Sequence, residues 1–138
     1  RARHLTRDNA LDCLLGYTCG NDVTARDLQR RDGQWSRAKG FDSFCPLGPW
    51  IETDLDPSDQ EVACQVNGQV RQRARTQDMV FDMKALLVYV TAIMTLEPGD
   101  VLMTGTPSGV SPIGPGDVVD VFVSGVGVLH NSVQLPTV

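Results

Sequence analysis

The feature that most constrains the fold is an Asn-Gly pair, Asn67-Gly68, set between two short runs of residues. Val62, Cys64 and Val66 alternate with polar residues before the pair, and Gln69-Val70-Arg71 follows it. Asn and Gly tolerate the positive φ angles that a two-residue turn requires at both of its central positions. The pattern therefore predicts a β-hairpin whose first strand has one apolar face.

Other short runs, bounded by turn residues, also predict strands because their residues are mostly apolar or β-branched. The predicted strands outside the hairpin cover residues 17–19, 101–104, 118–123 and 128–133, the second of them buried. Strands and helical segments do not alternate regularly along the chain, so a parallel βαβ sheet is not expected. The sequence predicts a β-rich α+β fold with about six strands.

Three helices are predicted where apolar residues recur at helical spacing after a residue that can cap a helix. They cover residues 5–15, 25–31 and 83–95, with Thr6, Thr24 and Asp82 as the respective N-caps. Residues 34–49 have no regular period and are rich in aromatic residues, Gly and Pro. Such a segment is typical of a packed loop, and loops of this kind often line functional sites.

Length and composition exclude several classes of protein. With 138 residues, 41% hydrophobic and 21% charged, the chain has the make-up of one ordered domain. Its net charge of −5 argues against a general nucleic-acid binder, which needs a basic face. The longest apolar run, residues 85–94, is about half the length that a bilayer helix needs, so no membrane partner is expected. Residues 1–37 carry seven Arg against five Asp and could hold an anionic small molecule.

The cysteines indicate the cellular compartment, and the first residues indicate that a segment is missing. The four Cys, at positions 13, 19, 45 and 64, form no C-x-x-C pair and fit the reducing cytoplasm better than a disulfide framework. The start, RARHLTRDN, lacks the apolar region of a signal peptide. Since Arg1 is not an initiator Met, we expect the chain to lack residues upstream.

The first candidate site lies where a predicted strand runs into a predicted helix. Asp22 follows the strand and is a plausible oxygen ligand for Mg²⁺ or Mn²⁺. Arg26 and Gln29 are three residues apart, so one helix face could present both to one ligand. The alternative is structural: Asp22 caps the helix, and Asp27 pairs with Arg31 four residues later. The pattern alone favours this alternative.

Two further segments carry residues that could act on an anion. Lys39 follows Trp35 in an aromatic-rich stretch, where a partly desolvated ammonium could stabilise an oxyanion; the alternative is a surface lysine whose stem lies on Trp35. In residues 104–109 the Gly105 backbone and the Thr106 hydroxyl could approach an anion. A tight turn between two strands explains that segment equally well. His4 and His130 are far apart in sequence and suggest no catalytic arrangement.

Taken together, four stretches of the chain resemble one enzyme family. They read GYTCGNDVTARDLQ, GQWSRAKGFDSFCPLGPWI, MTLEPGDVLMTGTPSGV and PGDVVDVFVSGVGVLHNSV. The order and content of these stretches resemble the fumarylacetoacetate hydrolase superfamily. The similarity is greatest to its 2-hydroxyhepta-2,4-diene-1,7-dioate isomerase and 5-carboxymethyl-2-hydroxymuconate isomerase branch and to the acylpyruvases. The resemblance implies that residues 1–138 are a catalytic domain of this type, without its N-terminal portion.

The resemblance implies a mixed β-roll with a few short helices, a divalent metal (Mg²⁺ or Mn²⁺), and usually a homodimer. It assigns the metal to Asp22, catalytic roles to Lys39 and Gln29, and substrate binding to Arg26, Gly105 and Thr106, with Thr106 contacting the substrate carboxylate. Two features of the family are missing. Its Glu-x-Glu metal ligands and its water-activating His/Glu pair precede the segment that starts here. In addition, His130 stands where an Arg is more usual.

The function that the resemblance implies is metal-dependent catalysis on 2-oxo or 2-hydroxy-enoic dicarboxylates in the breakdown of aromatic compounds. The reaction would be isomerisation, C–C bond hydrolysis or decarboxylation through a metal-stabilised enolate. The alternative is a truncated, non-catalytic relative. Such a protein would bind a small anion through Arg26 and Thr106, or pair with a partner chain.

Overall fold

The computed structural model describes residues 1–135, and the elements below belong to that part of the chain. The strands are β1 (Tyr17–Gly20), β2 (Leu47–Glu52), β3 (Glu61–Val66), β4 (Gln69–Arg75), β5 (Val118–Val123) and β6 (Gly127–Ser132). The α-helices are α1 (Arg26–Asp32), α2 (Ser36–Lys39) and α3 (Met83–Ile93). Short 3₁₀ turns cover Ala10–Cys13, Pro57–Asp59 and Thr76–Asp78. The predicted β-rich α+β class is confirmed.

The predicted hairpin forms one half of the larger sheet, with β4 at the edge and β3 inside. Asn67 and Gly68 take φ angles of 52° and 75°, and β3 and β4 pair in antiparallel fashion on either side of them. The four-stranded sheet has the order β4-β3-β5-β6, with every neighbouring pair antiparallel. The Asn67 side chain also ties the turn to β5, because its amide donates to Asp117 Oδ1 (2.8 Å) and its oxygen accepts from the Val118 N–H (2.9 Å).

The smaller sheet covers one face of the larger one. β1 and β2 form an antiparallel pair, and the buried core between the sheets contains Cys19, Val121, Val126 and Leu129. Burial of Val121 follows from the alternation along β5, in which Val119 and Val121 are buried, since every second residue of a strand points to the same face. This packing fixes the end of β1, from which the candidate site extends.

Two predicted elements are wrong. Instead of a helix over residues 5–15 there is only the 3₁₀ turn Ala10–Cys13. The backbone leaves the helical region before this turn, at Asn9 (φ −115°, ψ 7°), and after it, at Leu14, which is extended (ψ 134°). Thr6 therefore caps no helix. Residues 101–104 do not form a buried strand: Val101 is 55% exposed and Met103 40% exposed. No described strand lies beside them to supply hydrogen bonds.

The other predicted helices are confirmed with small differences. Asp82 caps α3 as predicted, since its carboxylate accepts the Ala85 N–H (2.7 Å). In α1 the N-cap is Ala25 rather than Thr24, and no side chain caps that helix. The predicted loop over residues 34–49 contains a short helix, α2, and the beginning of β2. Within residues 1–135, no helix combines the length and the apolarity that crossing a membrane requires.

Candidate active site

The candidate site begins where β1 ends, and backbone hydrogen bonds fix its position. The Asn21 N–H donates to the Pro46 carbonyl (3.2 Å), which joins this end to the segment before β2. The Ala25 N–H donates to the carbonyl of Ala38 (2.9 Å), a fully buried residue of α2. These bonds bring α2, with Lys39 at its last position, against the loop that carries Asp22.

Asp22, Thr24 and Lys39 form one polar cluster. The Lys39 ammonium donates to Asp22 Oδ2 and also to Thr24 Oγ1 (3.2 Å). The Thr24 hydroxyl in turn donates to the main-chain oxygen of Asp22 (2.9 Å). The Asp22 side chain is 46% exposed and that of Lys39 is 29% exposed. The pair is therefore ordered by mutual contact but remains within reach of a ligand.

The structure also bears on the two structural interpretations of these residues, one for Asp22 and one for Lys39. Asp22 does not cap α1, and Arg31 contacts the adjacent Asp32 (3.4 Å) rather than Asp27. For Lys39 the alternative was a stem lying on Trp35; the structure instead places the Lys39 nitrogen 5.9 Å from the centre of the Trp35 ring. At that distance a cation–π attraction contributes to fixing the ammonium. The same side chain thus contacts both Asp22 and Trp35.

A second ion pair holds α1 and α2 together. Arg37 makes two bonds to Asp32, from Nε to Oδ2 (2.7 Å) and from Nη2 to Oδ1 (2.6 Å). The hydrogen bonds from Arg37, together with Arg31, hold the pKa of the Asp32 carboxyl below its usual value. This two-point contact lies two residues before Lys39 and limits how α2 can tilt.

Arg26 and Gln29 lie on one face of α1, as their spacing predicted. Arg26 Nη1 donates to Gln29 Oε1 (2.5 Å), so the amide fixes the guanidinium. Arg26 is exposed and Gln29 is partly buried. Since a guanidinium has five N–H donors, this one contact leaves Arg26 able to bind an anion such as a carboxylate.

Thr106 and Gly105 lie in a segment without regular structure, residues 101–109. A Cβ placed on Gly20 would be 3.2 Å from the Met103 sulfur, so this segment passes directly over the end of β1. Gly105 has a φ of 105°, which favours glycine.

The Thr106 hydroxyl accepts a hydrogen bond from Gln72 Nε2 (2.7 Å) rather than contacting Asp22 or Lys39. Because residues 101–104 form no strand, the alternative interpretation of this segment, a tight turn between two strands, does not hold.

Gln72 is a site-supporting residue that sequence reasoning missed. Its amide reaches a residue thirty-four positions away, and the hairpin pattern carries no signal for such a contact. Thr24 was also missed in its actual role, because a Thr before a helix is ordinarily interpreted as a cap. Nothing in the sequence around Asp22 and Thr24 predicts that Lys39, from another helix, binds both of them.

The donor set around Asp22 supplies only part of a divalent-metal site. No group of three or more His, Cys, Asp or Glu side chains suited to a metal occurs within the described range. Mg²⁺ prefers six oxygen ligands, so these residues do not complete a metal site by themselves. Asp22 fits as one ligand, because the Lys39 bond uses only Oδ2 of its two carboxylate oxygens. His130 contacts Asp120 (2.6 Å) on the neighbouring strand and takes no part in this cluster.

The cysteines lie apart from this chemistry. All four are free thiols. Burial raises the pKa of the Cys19 thiol, and burial together with the Asp120 charge raises that of Cys64. A raised pKa lowers the thiolate fraction and with it the reactivity, so these two cysteines pack rather than react.

Comparison with known proteins supports the resemblance. Residues 1–134 match the family described as Fumarylacetoacetate (FAA) hydrolase C-terminal. A mitochondrial oxaloacetate tautomerase of Caenorhabditis elegans is 43% identical over 126 residues, covering 87% of this chain and 59% of its own.

Two solved structures match the fold closely. The crystal structure of 5-carboxymethyl-2-hydroxymuconate delta-isomerase from Mycobacterium smegmatis is 57% identical, with a TM-score of 0.94 over 96% of this chain and 53% of its own. Maleylpyruvate hydrolase from Sphingobium sp. SYK-6, solved with manganese(II) and pyruvate, is 36% identical, with a TM-score of 0.87 over 96% of this chain and 49% of its own. The chain spans about half the length of these structures, and it belongs to the fumarylacetoacetate hydrolase family.

Proposed function

We propose that the protein containing this chain is an enzyme that acts on 2-oxo or 2-hydroxy-enoic dicarboxylates. The reaction is isomerisation, C–C bond hydrolysis or decarboxylation. The observation that carries this proposal is the cluster at the end of β1, where the Lys39 ammonium binds the Asp22 carboxylate and both stay partly exposed. The names of the relatives support the substrate class, since they include an isomerase, a tautomerase and a hydrolase of such acids.

We further propose that the reaction depends on Mg²⁺ or Mn²⁺. The manganese(II) ion reported with the maleylpyruvate hydrolase supports this. Asp22 would be one ligand, and the remaining ligands would come from residues outside this chain. A bound divalent cation supplies positive charge that stabilises an enolate oxygen.

The residues of this chain would divide the remaining tasks. Lys39 adds a fixed positive charge close to the developing oxyanion, and removing one preorganised donor of this kind typically lowers kcat about 10²–10³-fold. Arg26, held by Gln29, would bind a substrate carboxylate, and Gln29 would contact the same substrate with its amide nitrogen. Thr106 and the Gly105 backbone would bind the second polar end of the substrate. Orientation by these contacts lowers the entropic part of the barrier.

We place this reaction in the breakdown of aromatic compounds, in the cytoplasm, and expect a homodimer. The hydroxymuconate isomerase among the solved relatives supports the pathway class, and the free cysteines support a reducing compartment. Light scattering of the full-length protein tests the assembly. A mass of two chains is expected, and a single-chain mass at micromolar concentration would contradict the dimer.

A second candidate function is favoured by one observation. Within residues 1–135 only Asp22 contributes a carboxylate to the cluster, and no three metal-binding side chains converge. A non-catalytic protein that binds a small anion through Arg26 and Thr106, or that pairs with a partner chain, would need no more than this.

Turnover measurements separate the two candidates. The full-length protein is assayed with oxaloacetate, an acylpyruvate and a hydroxymuconate analogue while MgCl₂ or MnCl₂ is titrated after chelation. We expect turnover of at least one substrate that saturates with the metal and disappears with excess chelator. Absence of metal-dependent turnover on all three would contradict the enzyme and favour the anion-binding protein.

A further inference from the structure

The segment that carries Thr106 has no regular structure of its own, so its position depends on what it touches. At one end Met103 packs against Gly20, next to the start of the candidate site. At the other end the segment meets β4, more than thirty residues earlier in the chain. Residues 101–109 therefore cross from the smaller sheet to the larger one. The contacts that hold this segment against β4 therefore determine the position of the Thr106 hydroxyl.

Gln72 provides two hydrogen bonds at that end. Its Nε2 donates to Thr106 Oγ1 (2.7 Å) and to the Pro107 carbonyl oxygen (2.6 Å). The amide thus binds a side chain and a main-chain group of consecutive residues. Because the Thr106 oxygen accepts from Gln72, its own hydroxyl hydrogen is left free to donate to another acceptor. A substrate carboxylate is such an acceptor.

A bulge in the hairpin places Gln72 for this contact. Cys64 pairs with Gln72 but Gln65 pairs with Val70, so Arg71 is an extra residue in β4. A β-bulge bends the strand locally and changes the direction of neighbouring side chains.

The far end of the segment, at Gly109, packs against the same bulge. A Cβ on Gly109 would lie 2.0 Å from the Arg71 carbonyl oxygen, and Gly109 has a φ of 104°. Only glycine fits so close to that carbonyl in this conformation. The segment is therefore held at residues 106, 107 and 109 by two adjacent residues of one strand.

We propose that Gln72 is a positioning residue for the reaction. It fixes the orientation of the Thr106 hydroxyl so that Thr106 can donate to the substrate carboxylate. This inference rests on the proposed function, which gives Thr106 that task. The hydrogen bonds of the Gln72 side chain go to Thr106 and Pro107, so Gln72 acts through Thr106.

A double-mutant cycle in the full-length protein tests this role. Gln72→Met keeps the length of the side chain but removes the N–H donors, and Thr106→Val keeps the shape but removes the hydroxyl. The control is Gln69→Met, the same change on an exposed residue of the same strand. Each variant is assayed with the 2-oxo acid that the wild type turns over, and KM and kcat are determined separately. Thr106→Ser is included because it keeps the hydroxyl.

We expect Gln72→Met to raise KM about tenfold with a smaller fall in kcat, and Gln69→Met to leave both unchanged. The double variant is expected to be no worse than Thr106→Val alone, because Gln72 has no hydroxyl left to orient. Thr106→Ser is expected to stay sensitive to Gln72→Met. Effects that multiply in the double variant, or a Gln72→Met protein with wild-type KM, would overturn the inference.

NMR of the Thr106 methyl group, in protein labelled with ¹³C at threonine methyls, gives a readout that does not depend on turnover. Because Gln72 holds the Thr106 side chain, the methyl order parameter of Thr106 is expected to fall in Gln72→Met and to stay at its wild-type value in Gln69→Met. If Gln72→Met does not fold, Gln72→Glu is compared instead, since it also lacks the donors. An unchanged order parameter would overturn the inference while metal-dependent turnover still supported the proposed function. A wild-type protein without turnover would overturn the proposed function and this inference with it.

Discussion

The two sides of the candidate site are held by different kinds of contact. On one side Asp22, Thr24 and Lys39 come from neighbouring stretches of chain and bind each other through charge and a hydroxyl. On the other side Thr106 lies in an irregular segment and is held by Gln72, a neutral amide on a distant strand. The first side carries the charges that the proposed chemistry needs, whereas the position of the second depends on the register of the hairpin.

This difference indicates how each side should respond to substitution. Removing a charge from the first side leaves a partly exposed partner without its counter-charge, so chemistry is lost while the fold survives. Displacing the backbone on the second side moves a binding group without changing any charge. We therefore expect the first side to govern kcat and metal dependence, and the second to govern KM and local stability.

The largest effect is expected for Asp22→Asn. The amide keeps the shape but loses the negative charge that would bind both a divalent cation and Lys39, and turnover should fall at least about 10³-fold. Metal-dependent kinetics of the full-length protein provide the measurement. Asp27→Asn, an exposed carboxylate on α1, is the control. If the two variants behave alike, Asp22 has no special role and the contrast between the two sides fails.

The next largest effect is expected for Lys39→Met. Loss of the ammonium should lower kcat about 10²-fold, because the positive charge near the oxyanion is gone. The concentration of Mn²⁺ that gives half-maximal rate should rise little, since Lys39 is not a ligand. Lys84→Met changes the only other lysine of the chain, on α3, and should match the wild type. Equal losses in kcat and in metal affinity would make Lys39 a structural residue.

A smaller effect, on the other side of the site, is expected for Gly109→Ala. The added methyl group would meet the Arg71 carbonyl oxygen at 2.0 Å, so the Thr106 segment must move and KM should rise with little change in kcat. The free energy of unfolding should also fall, by about 2–4 kcal/mol. Gly99→Ala is a matched control, because Gly99 has a similar φ of 96° but open space around its Cα. Equal destabilisation of both variants would show that the contact with β4 is unimportant.

The smallest effect concerns Asp32, and it depends on pH. Arg37 holds the pKa of this carboxyl below its usual value, so the stabilisation is fully present above the unfolded-state pKa of about 3.9. It is lost as the pH falls through the lower, folded-state pKa. Thermal unfolding of the wild type and of Asp32→Asn should therefore differ slightly at pH 6 and converge only as the pH falls through the lowered, folded-state pKa of Asp32. A difference that grows in acid would contradict the ion pair as the link between α1 and α2.

The strands could be predicted where one face is buried, because alternation along the chain reports which face that is. This explains why the hairpin and β5, with its bounds of Val118–Val123, were recovered. The same approach failed for residues 101–104, which are apolar in sequence but lie exposed over the site without a neighbouring strand. It failed again for residues 5–15, where the leucines have helical spacing but the backbone is extended at Leu14.

The candidate site could be predicted only in its components. Asp22 and Lys39 stand out as residue types, and their stretches of sequence resemble the family, but no local pattern predicts that they touch. The contact of Gln72 with Thr106 depends on a bulge and on packing between distant segments, and these have no signature in a single sequence. Side-chain hydrogen bonds across such separations emerge only when the fold is known.

The central claim is that Asp22 and Lys39 belong to a cation-dependent pocket for 2-oxo acids. The most direct test is a crystal structure of the full-length protein grown with MnCl₂ and pyruvate, with anomalous diffraction used to locate manganese. The account predicts an anomalous peak about 2.1 Å from Asp22 Oδ1, with Lys39 and Thr106 on opposite sides of the bound acid. A structure without a peak at Asp22, in which the carboxylate contacts Lys39 alone, would contradict it.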